Sequence, residues 1–160
     1  MKALNQTDLL LRIVPNGLKR MPDKFSKEIR RKTMQAVKSK NTGLEKTVTN
    51  ELRVRRISFR KNVRGMVGTP DIVIKRHRIV IFVDSCFWHG CKNHYRVPET
   101  NTEYWQRKIE RNRERDLKTT EYYLNNNWHI LRIWEHEFKE DQKGAIKKIV
   151  DFINASYEKV

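Results

Sequence analysis

The sequence predicts a single α/β domain, a mixed β-sheet with helices packed on both faces. Three observations lead there. Two runs rich in β-branched residues, "DIVI" from Asp71 and "RIVIFVD" from Arg78, stand close together with turn material around them. A further strand pattern, "WHILRIWEHE", follows a long charged segment of helical character. The remaining apolar residues recur at helical spacing before, between and after these strands, an order that calls for layers around one sheet.

Taken in order, residues 1 to 20 stand apart as an N-terminal appendage, expected to be flexible, with the folded domain running from 21 to 160. The run "LLLRIV" within them is too short for the apolar core of a signal peptide, and "PNG" breaks it. "SKEIRRKTMQAVKSK" reads as a basic helix capped by Ser26, with Ile29, Thr33 or Met34 and Val37 on one side. A second helix begins at "TGLEK", where Leu44, Val48 and Leu52 recur every fourth residue. "ISFRKNV" is a short strand, and "RGMVGTP" a loop. A hairpin centred near His77 pairs Ile74 with Val80 and Ile72 with Phe82, and so brings Asp71 beside Val83. The nearly continuous apolar character of both runs predicts strands covered on both faces. A helix follows from about Thr102 to Leu124, with Trp105, Ile109 and Leu124 inward and arginines and lysines elsewhere. "DQKGAIKKIVDFINASYEKV" closes the chain as an amphipathic helix.

Charge narrows the partner. The chain of 160 residues carries 35 Lys and Arg against 19 Asp and Glu, a formal charge of +16. Spread through the body rather than gathered in a tail, that excess predicts basic faces suited to a nucleic acid. Only two cysteines are present, which argues for a reducing cytosol rather than a disulfide scaffold. No apolar run approaches membrane-spanning length, so no membrane partner is expected. With no spare apolar helix face, a monomer is the expectation.

Cys86, Cys91 and His94 put two thiolates and an imidazole within nine residues, a spacing that can wrap a tetrahedral zinc ion. A closed site needs a fourth ligand, for which His89, His129 and His136 compete. His136, just past the strand ending at Trp134, is the better placed of the distant pair. His89 is either a ligand or a free imidazole beside Asp71, and local spacing leaves both readings open. Asp71, after Thr-Pro at the start of a central strand and near Asp84 at the end of its partner, suits a hard cation that activates water for phosphodiester hydrolysis. Glu45 completes Thr42-x-x-Glu45, a capping box, and so has a structural reading as well as a catalytic one. Phe87, Trp88 and Trp105 are either core or wedges that unstack a duplex, and Met34 on the basic first helix shares that ambiguity.

These motifs resemble the very short patch repair (Vsr) endonucleases, a family of PD-(D/E)xK nuclease-like fold. "TMQAVKSKNTGLEK", "TPDIVI", "IVIFVDSCFWHGC", "YWQRKIERNRERD" and "WHILRIWEHE" occur in the family's order, from about Asp23 to Ile153. The resemblance implies a cytoplasmic, nucleoid-associated enzyme of bacterial or archaeal type that nicks double-stranded DNA 5′ to the thymine of a T·G mismatch. By the same resemblance Asp71 and the backbone carbonyl of Val83 bind Mg2+, His89 is the catalytic imidazole, and Glu45 supports it. Phe87, Trp88 and Trp105 intercalate beside the mismatch, and Met34 inserts from the other groove. Structural zinc falls to Cys86, Cys91, His94 and His136, the last standing where a Cys is common. Asp84 either joins the metal site or does nothing, and the Lys of an ordinary PD-(D/E)xK site is missing from "DSC". Two rivals remain: a related nuclease of another lesion or restriction specificity, and a zinc-stapled binding module, which would need neither Asp71 nor His89.

Overall fold

The computed structural model describes Arg20–Met21, Glu28 and residues 43–157. The appendage up to residue 19, the first basic helix and Met34 lie outside the described residues. Among the described residues there are two sheets. A four-stranded one has the order β2 (Arg60–Lys61), β3 (Ile72–Ile74), β4 (Ile79–Asp84), β6 (His129–Trp134), while β1 (Arg20–Met21) pairs in parallel with β5 (Val97–Pro98). The helices are α1 (Gly43–Val54), α2 (Thr102–Asn125), α3 (Glu135–Glu140) and α4 (Gln142–Tyr157).

The sheet is mixed. β2, β3 and β4 run antiparallel, whereas β4 and β6 run parallel, joined by a crossover that contains α2. Along β4 side chains alternate between two buried faces. Ile79 and Ile81 join Ile72, Ile74 and Ile133 against Val48 and Leu52 of α1 and Ile146, Ile149 and Ile153 of α4. Val80 and Phe82 join Val73 against Tyr123 of α2. Each such side chain, taken fully out of water, contributes roughly 1.5–3 kcal/mol before entropy is counted. The expectation of helices on both faces therefore holds.

Three expected details are corrected. The hairpin pairs Ile72 with Ile81, Val73 with Val80 and Ile74 with Ile79, one residue away from the expected register. Its four-residue connection is a 3-10 turn, Lys75–His77, closed by Arg78 in the left-handed region, which sets an even-numbered loop. Asp71 still reaches Val83, by its side chain rather than by strand pairing. Of "ISFRKNV", only Arg60–Lys61 is a strand. Leu124 is exposed; the neighbouring Tyr123 is the buried one, its hydroxyl donating to the Val67 carbonyl at 2.7 Å. As expected, the last strand stops at Trp134. Glu137 Oε1 accepts the Trp134 N–H at 3.0 Å and turns the chain into α3.

Candidate active site

Topology delivers the site. β4 and β6 are parallel, so Asp84 pairs with Trp134 and both strands end on the same side. β3 is antiparallel to β4, so its first residues lie at that same end. The segments after Asp84 and Trp134 meet there with Asp71, which precedes β3. His129 pairs with Ile79 at the opposite end, which removes it as a ligand.

The loop after β4 is wound tightly on itself. The Cys91 N–H donates to the Cys86 carbonyl at 2.9 Å and the His89 N–H to the Ser85 carbonyl at 3.1 Å. Gly90 takes φ +62°, and a Cβ there would lie 2.5 Å from Arg113 Nε and 2.6 Å from Ile109 Cγ2. That close approach lets α2 grip the loop. Arg113 donates to the Gly90 carbonyl from Nη2 at 2.6 Å, and Asn112 donates to the Trp88 carbonyl at 2.9 Å.

The loop carries groups suited to three functions at once. Cys86, Cys91, His94 and His136 gather their ligand atoms within 4.8 Å of one another. Cys91 Sγ is 3.6 Å from His94 Nδ1 and 3.5 Å from His136 Nδ1, and Cys86 Sγ is 3.3 Å from His136 Nδ1. Bond lengths of about 2.3 Å to sulfur and 2.1 Å to nitrogen make the edges of a tetrahedron about 3.6 Å, so the donors fit a four-coordinate metal. Burial pushes the Cys86 thiol up to about 11, a cost that a bound cation would remove. Glu135 braces the knot from the start of α3: its Oε2 accepts the Cys86 N–H and the Ser85 hydroxyl, each at 3.1 Å.

The second function is aromatic. Phe87, Trp88 and Trp105 form one cluster of tilted and edge-on rings, with centroids 5.1 to 5.8 Å apart. All three are half-buried, and Lys108 Nζ lies 5.1 Å above the Trp88 ring. Exposed Arg107, Arg111, Arg115 and Lys118 continue along the same helix.

The third is His89, and it is not in the knot. Its Nδ1 meets Asp116 Oδ2 at 2.6 Å and lies 3.6 Å from Asp84 Oδ1. Burial pulls the imidazole pKa down, but the Asp116 hydrogen bond and the charges of both aspartates outweigh it, so the net shift is upward. Asp116 moves the opposite way, below the usual carboxylate range: burial opposes its charge, while His89 and Arg132 more than offset that.

Asp71 Oδ2 accepts the Val83 N–H at 2.7 Å. Burial, opposed by that hydrogen bond and reinforced by the charges of Glu45 and Asp84, lifts the Asp71 carboxyl from 3.8 to about 6. Glu45 is itself buried, receives Asn62 Nδ2 at 3.2 Å, and lines one small cavity with Asp71 and Val83. Thr42, the other half of the expected capping box, lies outside the described residues. The carboxylates, the histidine and the half-buried aromatics thus share one end of the sheet.

Sequence reasoning missed two partners. Asp116 and Arg132 were passed over, although Ile109, Asn112, Arg113 and Asp116 recur at helical spacing and so share the face of α2 that meets the loop.

Comparison with known proteins places the chain in a family. A family model described as DNA mismatch endonuclease Vsr matches residues 22–95. The type II nicking enzyme V.HpaIIP of Haemophilus parainfluenzae is 37% identical over 140 residues, 86% of this chain and 97% of that protein. The type II nicking enzyme V.XorIIP of Xanthomonas oryzae is 39% identical over 122 residues, 75% of this chain and 89% of its own length. The DNA mismatch endonuclease Vsr of Escherichia coli K12 is 34% identical over 124 residues, covering 77% of this chain and 80% of that enzyme. The chain belongs to the Vsr family. It is a DNA endonuclease. Among the described residues, no helix is long and apolar enough to cross a membrane.

Proposed function

We propose that this endonuclease nicks duplex DNA 5′ to the thymine of a T·G mismatch, with Mg2+ at the catalytic centre and Zn2+ in the Cys/His knot. One observation supports this most: a single loop, residues 86–91, carries two knot cysteines, two wedge aromatics and His89, whose charge is felt by Asp71. The fold is of PD-(D/E)xK type on this reading, with Asp71 after Pro70 at a central strand and "DSC" in the second motif position. The active unit is residues 21–160 and acts as a monomer.

Asp71 and the Val83 carbonyl would hold the cation, and the buried, hard oxygen of Asp71 suits it chemically. When bound, Mg2+ supplies positive charge against the scissile phosphate and an acidified water. His89, with Nδ1–H held by Asp116, presents Nε2 to take a proton from the attacking water. Glu45 keeps the Asp71 side of the cavity anionic. Phe87, Trp88 and Trp105 insert at a step where the mispair has already weakened stacking, so the wedge costs less there than in matched DNA.

The test uses a labelled T·G duplex and its T·A counterpart with wild type, Asp71→Ala and His89→Ala, in Mg2+ or EDTA. Strand-specific nicking of the mismatch, dependent on Mg2+ and lost in both variants, is the expected result. Undiminished nicking by Asp71→Ala would sink the mechanism. Equal cutting of the matched duplex would leave a nicking enzyme without mismatch selectivity, and loss of zinc from His89→Ala would return that residue to the knot.

A further inference from the structure

Asp84 is the most buried charged group at the site, 3% exposed, and follows Val83 directly in the chain. The Val83 backbone that donates to Asp71 at 2.7 Å is its immediate neighbour, so its carboxylate stands next to a cation held there. Both its oxygens are already engaged. Arg132, reaching across from β6, donates from Nε to Oδ2 at 2.6 Å and from Nη2 to Oδ1 at 2.9 Å, a bidentate fork. The same Nη2 lies 3.1 Å from Asp116 Oδ1. The guanidinium carbon is 4.8 Å above the Phe82 ring, and the buried Nη1 has no hydrogen-bond partner among the described residues. The cation is therefore fixed in place by two carboxylates and a ring, facing the site.

That arrangement matters because two carboxylates compete for one imidazole. His89 Nδ1 has Asp116 at 2.6 Å and Asp84 at 3.6 Å. With Asp84 consumed by the fork, Nδ1 binds Asp116 and the ring orientation is single-valued. We propose that Arg132 is a positioning residue that sorts these two carboxylates: it locks Asp84 out of the catalytic cation's coordination shell and leaves Asp116 to orient His89. A lysine cannot do both, because only the planar fork engages two oxygens of one carboxylate while touching a second.

The inference rests on the placement of the cation at Asp71 and Val83. It predicts opposite signs for two measurements. Freed from Arg132, Asp84 becomes an extra anionic ligand beside Asp71 and also draws His89 away from Asp116. Cation binding then tightens while chemistry slows, a combination that simple loss of structure does not produce.

The experiment uses the zinc-loaded full-length chain, measuring Mn2+ binding without DNA by electron paramagnetic resonance and single-turnover nicking with Mg2+. Arg132→Met is expected to bind Mn2+ about tenfold tighter, following the gain of one carboxylate ligand. It should nick about 10- to 100-fold more slowly, the usual size for loss of a supporting partner. Arg132→Lys shifts both readouts the same way by less. The double variant Asp84→Asn/Arg132→Met returns Mn2+ affinity to the wild-type value and nicks at least tenfold faster than Arg132→Met, since both partners of the ion pair are then gone. Mn2+ affinity that is unchanged or weaker in Arg132→Met, or a double variant as slow as the single, would overturn the proposal. If circular dichroism shows Arg132→Met unfolded, Arg132→Lys against wild type decides by the same two signs. Asp71→Asn separates the layers: wild-type Mn2+ affinity in that variant refutes the cation's placement itself, whereas its loss, with no gain in the Arg132 variants, refutes only the sorting role.

Discussion

Asp71 is held where its charge is unwelcome. Its carboxyl rises from 3.8 to about 6 because burial outweighs the Val83 hydrogen bond. The folded chain then binds that proton more tightly than the unfolded chain. The stabilisation is fully present below pH 4 and is lost as the pH climbs through 6. At pH 8 in EDTA the ionised group costs about 2–3 kcal/mol by the size of that shift. Asp71→Asn should therefore raise the denaturant midpoint at pH 8 and leave it nearly unchanged at pH 4, even as nicking is lost. Added Mg2+ should stabilise wild type at pH 8 and not the variant; a variant less stable than wild type at pH 8 would contradict the account. Gly90 is the complementary case, where backbone rather than charge is constrained. At φ +62°, with Arg113 Nε 2.5 Å from a Cβ position, Gly90→Ala must strain the turn and displace the arginine that holds the Gly90 carbonyl. A loss of about 2 kcal/mol in chemical denaturation is expected, with slower nicking, because His89 rides on that turn.

At the scale of elements, the strands were legible and their register was not, for a physical reason. "DIVI" and "RIVIFVD" announce themselves by β-branched residues, but both faces of β4 are buried, so no polar–apolar alternation marks which face is which. Register was left to the Lys75–Arg78 connection, whose left-handed Arg78 has no simple sequence signature. Tyr123 in place of Leu124 on the inner face of α2 was hidden similarly: its hydroxyl needs the Val67 carbonyl, a contact 56 residues away in sequence. The knot was legible where it is local, as in Cys86, Cys91 and His94; His136 was favoured by its place just past the last strand, and the parallel pairing of β4 with β6 brings it there. Asp116 and Arg132 matter only through contacts across elements, so no local pattern singled them out. The junction of β6 with α3 carries its own prediction. Glu135 ties that junction to the Cys86 loop by two hydrogen bonds, so Glu135→Ala should weaken metal retention by the knot about 10- to 100-fold. Competition with a chromophoric zinc chelator measures this directly; unchanged affinity would show that the knot orders its own ligands.

For the whole molecule, charge and shape divide the work of recognition. A formal charge of +16, with exposed Arg107, Arg111, Arg115 and Lys118 along α2, provides attraction to phosphates regardless of sequence. Each neutralised phosphate releases counterions, so a footprint of about six contacts predicts a slope near −5 in log affinity against log salt, and close to a thousandfold loss between 50 and 200 mM. Matched and mismatched duplexes present the same phosphates. Their affinities should therefore fall in parallel, leaving the preference for T·G over T·A constant across salt. On the proposed function, the preference would belong instead to Phe87, Trp88 and Trp105, whose insertion is opposed by stacking that a mispair has already weakened. Trp88→Ala should accordingly lower the T·G to T·A ratio about tenfold while leaving the salt slope unchanged, and reversing two exposed arginines of α2 to glutamate should flatten the slope while sparing the ratio. Fluorescence anisotropy of both duplexes, with Ca2+ in place of Mg2+ to prevent cutting, reads slope and ratio together. A ratio that collapses with salt would mean that discrimination is electrostatic and that the aromatic cluster is core rather than wedge.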